Sequence, residues 1–186
     1  MVKILLFSAL IALASAQIPS TEVCPEYPVQ QDFSAADYLG IWFENAKYPF
    51  IFEALGKCTT AEYTLRPDGN VGVFNRQINR LTGSLVTIEG YAVPDPNEPA
   101  KLGVIFPGQP GNRVAPYWVL ETDYLNYSVV WACENVEEGS LRFVYILTRE
   151  RQPSEEIYQT ALSALERNEI PTSFLRKTNQ VNCPDI

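Results

Sequence analysis

Four cysteines are the most reactive side chains in this sequence, and no histidine accompanies them. Without an imidazole, the usual base of Ser-His and Cys-His nucleophiles is missing, as is the commonest metal ligand. Cys24, Cys58, Cys133 and Cys183 form no CxxC pair, which disfavours the alternative of a zinc site built from four distant thiolates. An even number of cysteines favours two disulfides, in any of three pairings. We therefore expect cross-links, no catalytic residue and no metal.

The charge balance is acidic, with 14 Lys and Arg residues against 22 Asp and Glu residues among 186. An acidic surface does not attract phosphate backbones, so nucleic acid is not an expected partner. Residues 1–16 combine Lys3, an apolar run at 4–13 and Ala14-Ser15-Ala16, which predicts a secretory signal peptide. A transmembrane anchor is the alternative, but the apolar run is short for a bilayer. We expect a secreted, extracellular protein in which residues 17–186 form a single domain.

Short runs of β-branched and aromatic residues alternate with turn residues from Gly40 onward. This pattern predicts eight strands, at 41–46, 59–65, 71–79, 85–93, 101–106, 117–122, 128–133 and 141–148. A change to helical spacing predicts one amphipathic helix at 153–167. Eight antiparallel neighbours leave exposed edges unless the first pairs with the last. We therefore expect an all-β fold, an eight-stranded antiparallel up-and-down β-barrel with the α-helix packed on its outside; a β-sandwich is the alternative.

Three separated motifs resemble those of the lipocalin family. They are Gly40-Ile41-Trp42, the turn Thr122-Asp123-Tyr124-Leu125-Asn126-Tyr127, and Arg149 after the last predicted strand. Further runs are similar to the apolipoprotein D-like branch, which includes bilin-binding and carotenoid-binding lipocalins: Cys24-Pro25, residues 115–120 and Val181-Asn182-Cys183-Pro184. The resemblance covers essentially all of residues 17–186. It implies the disulfides Cys24–Cys133 and Cys58–Cys183.

The residues of these motifs suit a mainly structural role. We expect Trp42 and Arg149 to meet at the narrow end of the barrel, where the guanidinium lies over the indole face and donates to nearby carbonyls. Asp123 is expected to accept hydrogen bonds within its own turn, with the Tyr124 ring against the barrel base. A receptor-binding surface is the alternative role for the motifs.

An apolar and aromatic inner wall follows from the position of Arg149. If Arg149 points inward, the period of two along a strand places Tyr145 and Phe143 on the same inner face. The resemblance also places Tyr63, Asn75 and Tyr117 inside. With residues of the same parity, the expected ligand contacts within the barrel are Tyr63, Val73, Asn75, Ile88, Tyr117, Val119, Phe143 and Tyr145. Such walls suit a small apolar ligand with one or two polar groups, whereas the alternative is a barrel filled by its own side chains.

The segment 48–55, which joins the first two predicted strands, is too apolar for an ordinary exposed loop. The lipocalin layout places this segment, Tyr48 to Leu55, over the open mouth of the barrel. We expect Phe50 and Phe52 to form a lid that touches the ligand or makes transient contact with a membrane or lipoprotein surface. The alternative is a loop that folds onto its own barrel.

The sequence contains one N-x-S/T sequon, Asn126-Tyr127-Ser128. It lies within the turn between the sixth and seventh predicted strands. Asn126 is therefore a candidate glycosylation site in a secreted protein.

These expectations favour a secreted carrier that binds and transports a small hydrophobic ligand. The resemblance implies a fatty acid, a sterol or a related lipid, or else a bilin or carotenoid pigment held without a covalent bond; no cofactor is required. One alternative is a ligand-independent extracellular interaction protein, which a filled barrel would favour. A lipid-acting enzyme is less favoured, because the expected disulfides use all four cysteines and no histidine can act as a base. Ligand identity does not follow from these residues.

Overall fold

The computed structural model describes residues 18–49, 55–108 and 113–185. The expected signal peptide at 1–16 and the expected lid residues Phe50 and Phe52 lie outside the described residues. The described strands are β1 (Ile18–Ser20), β2 (Gly40–Lys47), β3 (Gly56–Leu65), β4 (Val71–Asn79), β5 (Leu85–Pro94), β6 (Lys101–Ile105), β7 (Val114–Thr122), β8 (Tyr127–Val136), β9 (Gly139–Thr148) and β10 (Arg176–Lys177). The described helices are α1 (Ala35–Tyr38) and α2 (Glu155–Arg167), followed by a 3-10 turn at Thr172–Phe174.

Strands β2 to β9 form a closed antiparallel barrel. Each pairs with its neighbours in sequence, and β9 also pairs with β2, which sets Phe43 opposite Thr148 and Lys47 opposite Tyr145. Closure gives each of these strands a partner on both sides, with an incomplete ladder between β2 and β3. The predicted eight-stranded barrel is confirmed, and its strand ends differ from the prediction by at most three residues.

Three short elements were not predicted from the sequence pattern. β1 pairs with β9 and β10 pairs with β2, and both therefore extend the barrel sheet locally. The third is the single turn of α1, where the Ser34 hydroxyl accepts a hydrogen bond from the backbone N–H of Asp37 at 3.3 Å. Elements of two to four residues are too short to show a strand or helix period, so the sequence gives no periodic signal for them.

Two ends of the barrel follow from the strand directions. One, called the closed end below, holds the start of β2 at Gly40, Arg149, and the turn 123–126 between β7 and β8. The other, called the mouth, holds the turns 80–84 and 137–138, the end of β6 at Ile105 and the start of β7 at Val114. Each strand therefore runs between a closed-end residue and a mouth residue.

The C-terminal segment completes the wall between β2 and β3. The ladder between these strands stops at Phe43 opposite Thr60. Beyond that point the buried side chain of Gln180 donates from Nε2 to Glu44 O and to Thr59 O, both at 2.8 Å. These two bonds replace missing ladder bonds and hold Glu44 and Thr59 beside each other.

Helix α2 packs on the outside of the barrel against β8. Ser154 caps it, because its hydroxyl accepts from the backbone N–H of Ile157 at 3.3 Å. The helix therefore begins at Glu155, after the cap, and the predicted start at Pro153 is wrong by two residues. Ala161, Ala164 and Leu165 form its buried face. None of the helices described is both long and apolar enough to cross a membrane.

Two disulfides tie the terminal segments to the barrel. Cys24 is joined to Cys133 on β8, and Cys58 on β3 is joined to Cys183, which are the pairings that the family resemblance implies. The linked residues are 109 and 125 positions apart. Loops of this length make each disulfide worth up to about 5 kcal/mol through the unfolded chain.

Candidate ligand-binding site

The closed end is plugged by Arg149. Its guanidinium carbon lies 3.8 Å from the centroid of the Trp42 ring, and its nitrogens donate to Tyr124 O at 2.9 Å, Ile41 O at 3.0 Å and Asp37 O at 3.2 Å. Burial lowers the pKa of Arg149, while Tyr38 and Asp123 oppose that shift. The expected stacking and carbonyl contacts are both present in the structure.

Gly40 leaves the space that this guanidinium needs. Its φ is +96°, a backbone conformation that favours glycine, and a Cβ atom there would lie 3.2 Å from Arg149 Nη1. The glycine of the G-x-W motif therefore serves both the backbone turn and the approach of Arg149.

The turn between β7 and β8 is organised by Asp123. Its Oδ1 accepts from the backbone N–H groups of Leu125, Asn126 and Tyr127 at 3.2, 2.8 and 3.0 Å, and its Oδ2 accepts from Asn126 Nδ2 at 2.7 Å. Burial alone would raise the pKa of Asp123, but these hydrogen bonds outweigh it and lower the pKa. The Thr122 hydroxyl donates to Tyr127 O at 2.7 Å and accepts from the Tyr124 N–H at 3.0 Å.

The floor of the barrel is a chain of hydroxyls. Tyr117 Oη lies 2.9 Å from Tyr63 Oη and 3.0 Å from Tyr38 Oη, and Tyr38 Oη lies 2.7 Å from the Ser128 hydroxyl. Burial raises the pKa of Tyr38 to about 12 and the pKa values of Tyr63 and Tyr117 further above that of free tyrosine. All three phenols are therefore neutral at physiological pH and able to donate.

Tyr38 belongs to this floor although sequence reasoning assigned it no part in the site. Its carbonyl accepts from Trp42 Nε1 at 2.9 Å, and its ring lies 5.5 Å from that of Tyr63. A usable signal was its position four residues before the tryptophan of the G-x-W motif. Helix α1 turns the chain so that this tyrosine enters the barrel.

A cavity of about 960 Å³ lies inside the barrel. The structure brings together on its wall seven of the residues expected to contact a ligand: Tyr63, Val73, Asn75, Ile88, Tyr117, Phe143 and Tyr145. Most of the other lining side chains are apolar, among them Val71, Val104, Phe106, Leu141 and Leu147. A void of this size contradicts the alternative of a barrel filled by its own side chains.

Val119, another expected ligand contact, is placed differently from these seven. It is fully buried and belongs to the packed core, but it is not among the residues that line the cavity. Along β7 it stands two residues nearer the closed end than Tyr117, whose hydroxyl contacts form the floor. The alternation of side chains along a strand predicts that Val119 points inward like Tyr117. It does not predict how far along the barrel axis the residue lies. Phe50, the ninth expected contact, lies outside the described residues.

A buried ion pair on β2 is the main feature that sequence reasoning missed. Lys47 Nζ lies 3.0 Å from Glu44 Oε1, and both side chains are buried. Glu44 lines the cavity, and its Oε1 also accepts from the Thr178 hydroxyl at 2.6 Å. The inward parity of Trp42 could have indicated Glu44. A bulge between Glu44 and Ala46 shifts the register, so nothing in the pattern indicated Lys47.

Three lining side chains carry an oxygen without a partner. Among the described residues, Thr59 Oγ1, Thr60 Oγ1 and Asn75 Oδ1 are buried and make no hydrogen bond. Thr59 and Thr60 were not predicted as site residues. Buried polar atoms are rarely left unpaired in proteins, and Trp131 Nε1, outside the cavity lining, is another such atom among the described residues.

In the candidate glycosylation site the asparagine is exposed, whereas the third residue of the sequon is buried. Asn126 is exposed, but its side-chain nitrogen is held by Asp123. Ser128, the third residue of the sequon, is fully buried and bonded to Tyr38. A sugar at Asn126 would therefore have to be attached before this turn folds.

Comparisons with known proteins agree with this architecture. Residues 33–180 match the model of a family described as a lipocalin-like domain. The chain is 39% identical over 184 residues to apolipoprotein D of Cavia porcellus, covering 97% of this chain and 95% of that protein. It is 36% identical over 153 residues to bilin-binding protein of Pieris brassicae, covering 79% and 78%. The structure of insecticyanin from the tobacco hornworm Manduca sexta superposes with a TM-score of 0.76 at 25% identity, covering 88% and 89%.

These matches extend over nearly the whole chain. Apolipoprotein D-like lipocalins are carriers rather than enzymes, and the expectation that the chain is not an enzyme is thereby confirmed. The chain belongs to the lipocalin family and is similar to its apolipoprotein D-like members.

Proposed function

We propose that this chain is an extracellular carrier that binds one small hydrophobic molecule in the barrel and transports it. The observation that carries the proposal is the cavity of about 960 Å³ with its apolar and aromatic lining. Pockets of this size bury most of the surface of a molecule of about 20 to 30 non-hydrogen atoms. Burial of apolar ligand surface supplies the affinity, and the packed closed end prevents the ligand from passing through.

The ligand classes proposed are a fatty acid, a sterol or related lipid, and a pigment. The neutral hydroxyls of Tyr63 and Tyr117 would orient a polar group of any of them at the floor. A bilin is included because a relative of this chain carries the name bilin-binding protein, and a carotenoid is included because the family resemblance of the sequence implies it. With no histidine in the sequence, such a pigment would rely on these hydroxyls and on Asn75 rather than on imidazole. An absorption spectrum of protein purified from its source separates a pigment from a colourless lipid.

Secretion is part of the proposal. Two disulfides require an oxidising compartment, and residues 1–16 have the composition of a signal peptide. We expect N-terminal sequencing of secreted protein to start at Gln17, with residues 17–186 as one domain. A mass decrease on glycosidase treatment would establish glycosylation at Asn126; an unchanged mass would exclude it.

The proposal also includes transient contact with a membrane or lipoprotein surface through the segment 48–55. Its support is an apolar mouth: Leu55 is 46% exposed at the end of that segment, and Leu81 is 77% exposed in a neighbouring turn. Exposed apolar side chains grouped at one end of a protein are typical of such contacts. The double variant Leu55→Ser and Leu81→Ser should bind phosphatidylcholine vesicles more weakly than Leu65→Ser at the closed end. Equal binding by both variants would exclude the contact.

The test of carriage is an equilibrium titration with a fluorescent fatty acid, 11-(dansylamino)undecanoic acid. Ala132 lines the cavity, so Ala132→Trp should narrow it and weaken binding about tenfold or more. Val93→Trp is the matched control, because Val93 is exposed on β5 and does not line the cavity. If wild-type protein and both variants bind the probe equally, the ligand does not occupy the barrel.

A further inference from the structure

The four hydroxyls at the floor of the cavity form one continuous chain. It begins at Ser128, whose Oγ lies 2.7 Å from Tyr38 Oη, and it continues from Tyr38 Oη to Tyr117 Oη at 3.0 Å. It ends at Tyr63, whose Oη lies 2.9 Å from Tyr117 Oη. Among the described residues, these four oxygens make no other hydrogen bond.

The tyrosine end of the chain faces the cavity, whereas the serine end does not. Tyr63 stands opposite Val73 in the ladder between β3 and β4, and both side chains line the cavity. Tyr117 is likewise a lining residue and is only half-buried. Tyr38 also lines the cavity, but Ser128 is fully buried and does not. A ligand can therefore approach the tyrosines and cannot approach Ser128.

The floor holds one hydroxyl proton more than its hydrogen bonds use. Four hydroxyl groups supply four protons, and the three bonds of the chain use three of them. If the remaining proton belonged to Ser128, it would be enclosed by protein without an acceptor among the described residues, which is unfavourable. The remaining proton is therefore assigned to the tyrosines, where a molecule in the cavity can accept it. The floor thus offers a ligand one hydrogen-bond donor.

We propose that the floor binds an uncharged carbonyl group, so that the carrier prefers a ligand whose inner end is a ketone or an ester to one whose inner end is a hydroxyl. This inference rests on the proposed carrier function. A carbonyl oxygen only accepts hydrogen bonds. It therefore pairs the remaining tyrosine proton and brings no further proton to the floor, which leaves every hydroxyl of the chain with a partner.

Two other polar groups fit this floor less well. A ligand hydroxyl adds a fifth proton but only a fourth bond to the chain. Either that proton stays unpaired, or the chain reverses and the Ser128 proton is left unpaired inside the protein. An ionised carboxylate is an acceptor, but the phenols around it are neutral, and burial of a charge without a charged partner is costly.

The first test is the infrared spectrum of 2-tridecanone bound to wild-type protein. A hydrogen bond to the carbonyl oxygen weakens the C=O bond. The carbonyl stretching band of the bound ketone should therefore lie at lower wavenumber than the band of the same ketone in hexane. A band at the hexane position would overturn the proposal.

The second test is displacement of 11-(dansylamino)undecanoic acid by 2-tridecanone and by 2-tridecanol, which differ only at that one group. Wild-type protein should bind the ketone about fivefold more tightly than the alcohol. The double variant Tyr63→Phe and Tyr117→Phe, with its folding checked by circular dichroism, should bind the two compounds equally and lose the infrared shift. Tyr91→Phe is the matched control and should keep the preference, because Tyr91 lies on β5 and does not line the cavity.

The outcomes separate the two proposals. If wild-type protein binds the probe but binds the ketone and the alcohol equally, the floor does not select a carbonyl group and the carrier function stands. The same conclusion follows if the double variant keeps the preference. If wild-type protein binds neither the probe nor the two compounds, the carrier function proposed for lipids fails together with this inference.

Discussion

The closed end and the wall between β3 and β4 handle buried polar groups in opposite ways. At the closed end, Arg149 donates to three carbonyls and the Thr122 hydroxyl has two partners. On β3, Thr60 is only 1% exposed, yet its hydroxyl has no partner among the described residues. Polar groups that satisfy one another stabilise the fold, whereas a buried oxygen without a partner is unfavourable. The closed end therefore contributes more to stability than the unpaired oxygens of this wall.

The largest expected effect is at the closed end, in the variant Trp42→Ala. Trp42 is fully buried beneath Arg149, so its truncation leaves a void and removes the stacking contact. We expect the free energy of unfolding to fall by about 3 to 5 kcal/mol in urea denaturation. Asn75→Leu, which removes a buried oxygen without a partner, is the comparison and should change it by less than about 1 kcal/mol. Equal losses in the two variants would remove the distinction between the regions.

High pH should destabilise the protein through the floor tyrosines. Below about pH 10, the pKa of an unfolded tyrosine, the folded and unfolded chains both hold these protons and stability is unaffected. Above it the unfolded chain loses them first, so stability falls as pH rises toward the raised folded pKa, about 12 for Tyr38. Tyr38→Phe should reduce the slope of unfolding free energy against pH between these values. An unchanged slope would show that Tyr38 is not responsible.

Two threonine-to-valine substitutions, one in each region, compare the regions most directly. Their expected effects on stability are the smallest of those predicted. Thr122→Val at the closed end leaves Tyr127 O and the Tyr124 N–H without their partner and should cost about 1 to 3 kcal/mol. Thr60→Val on β3 removes a hydroxyl that has no partner among the described residues and should be neutral or slightly stabilising. Thermal unfolding of both variants measures the difference. A larger loss from Thr60→Val than from Thr122→Val would contradict the assignment of the two regions.

The sequence predicts the barrel and most of its inner wall because both depend on local rules. Strand parity places Phe143 and Tyr145 inside, and the lipocalin motifs place Trp42 and Arg149 at the closed end, as the structure shows. Properties that depend on depth or on distant chain segments were not predictable in this way. Val119 has the right parity but lies beyond the floor.

The polar part of the wall depends on contacts that no local pattern records. Gln180 replaces ladder bonds beside Thr59, far from it in sequence, and a bulge brings Lys47 to the inner face beside Glu44. Whether a threonine hydroxyl such as that of Thr60 finds a partner is likewise decided by the packed neighbours. Three-dimensional packing, rather than residue type, therefore distinguishes Thr60 from a buried threonine with partners such as Thr122.

The most direct test of the carrier function is native mass spectrometry of the protein purified without denaturant from the cells that secrete it. Wild-type protein and Val93→Trp should each carry one small hydrophobic molecule that organic solvent removes, and a smaller fraction of Ala132→Trp should carry it, because Ala132 lines the cavity and Val93 does not. A wild-type mass equal to the bare polypeptide, or an equal load on Ala132→Trp, would contradict transport inside the barrel.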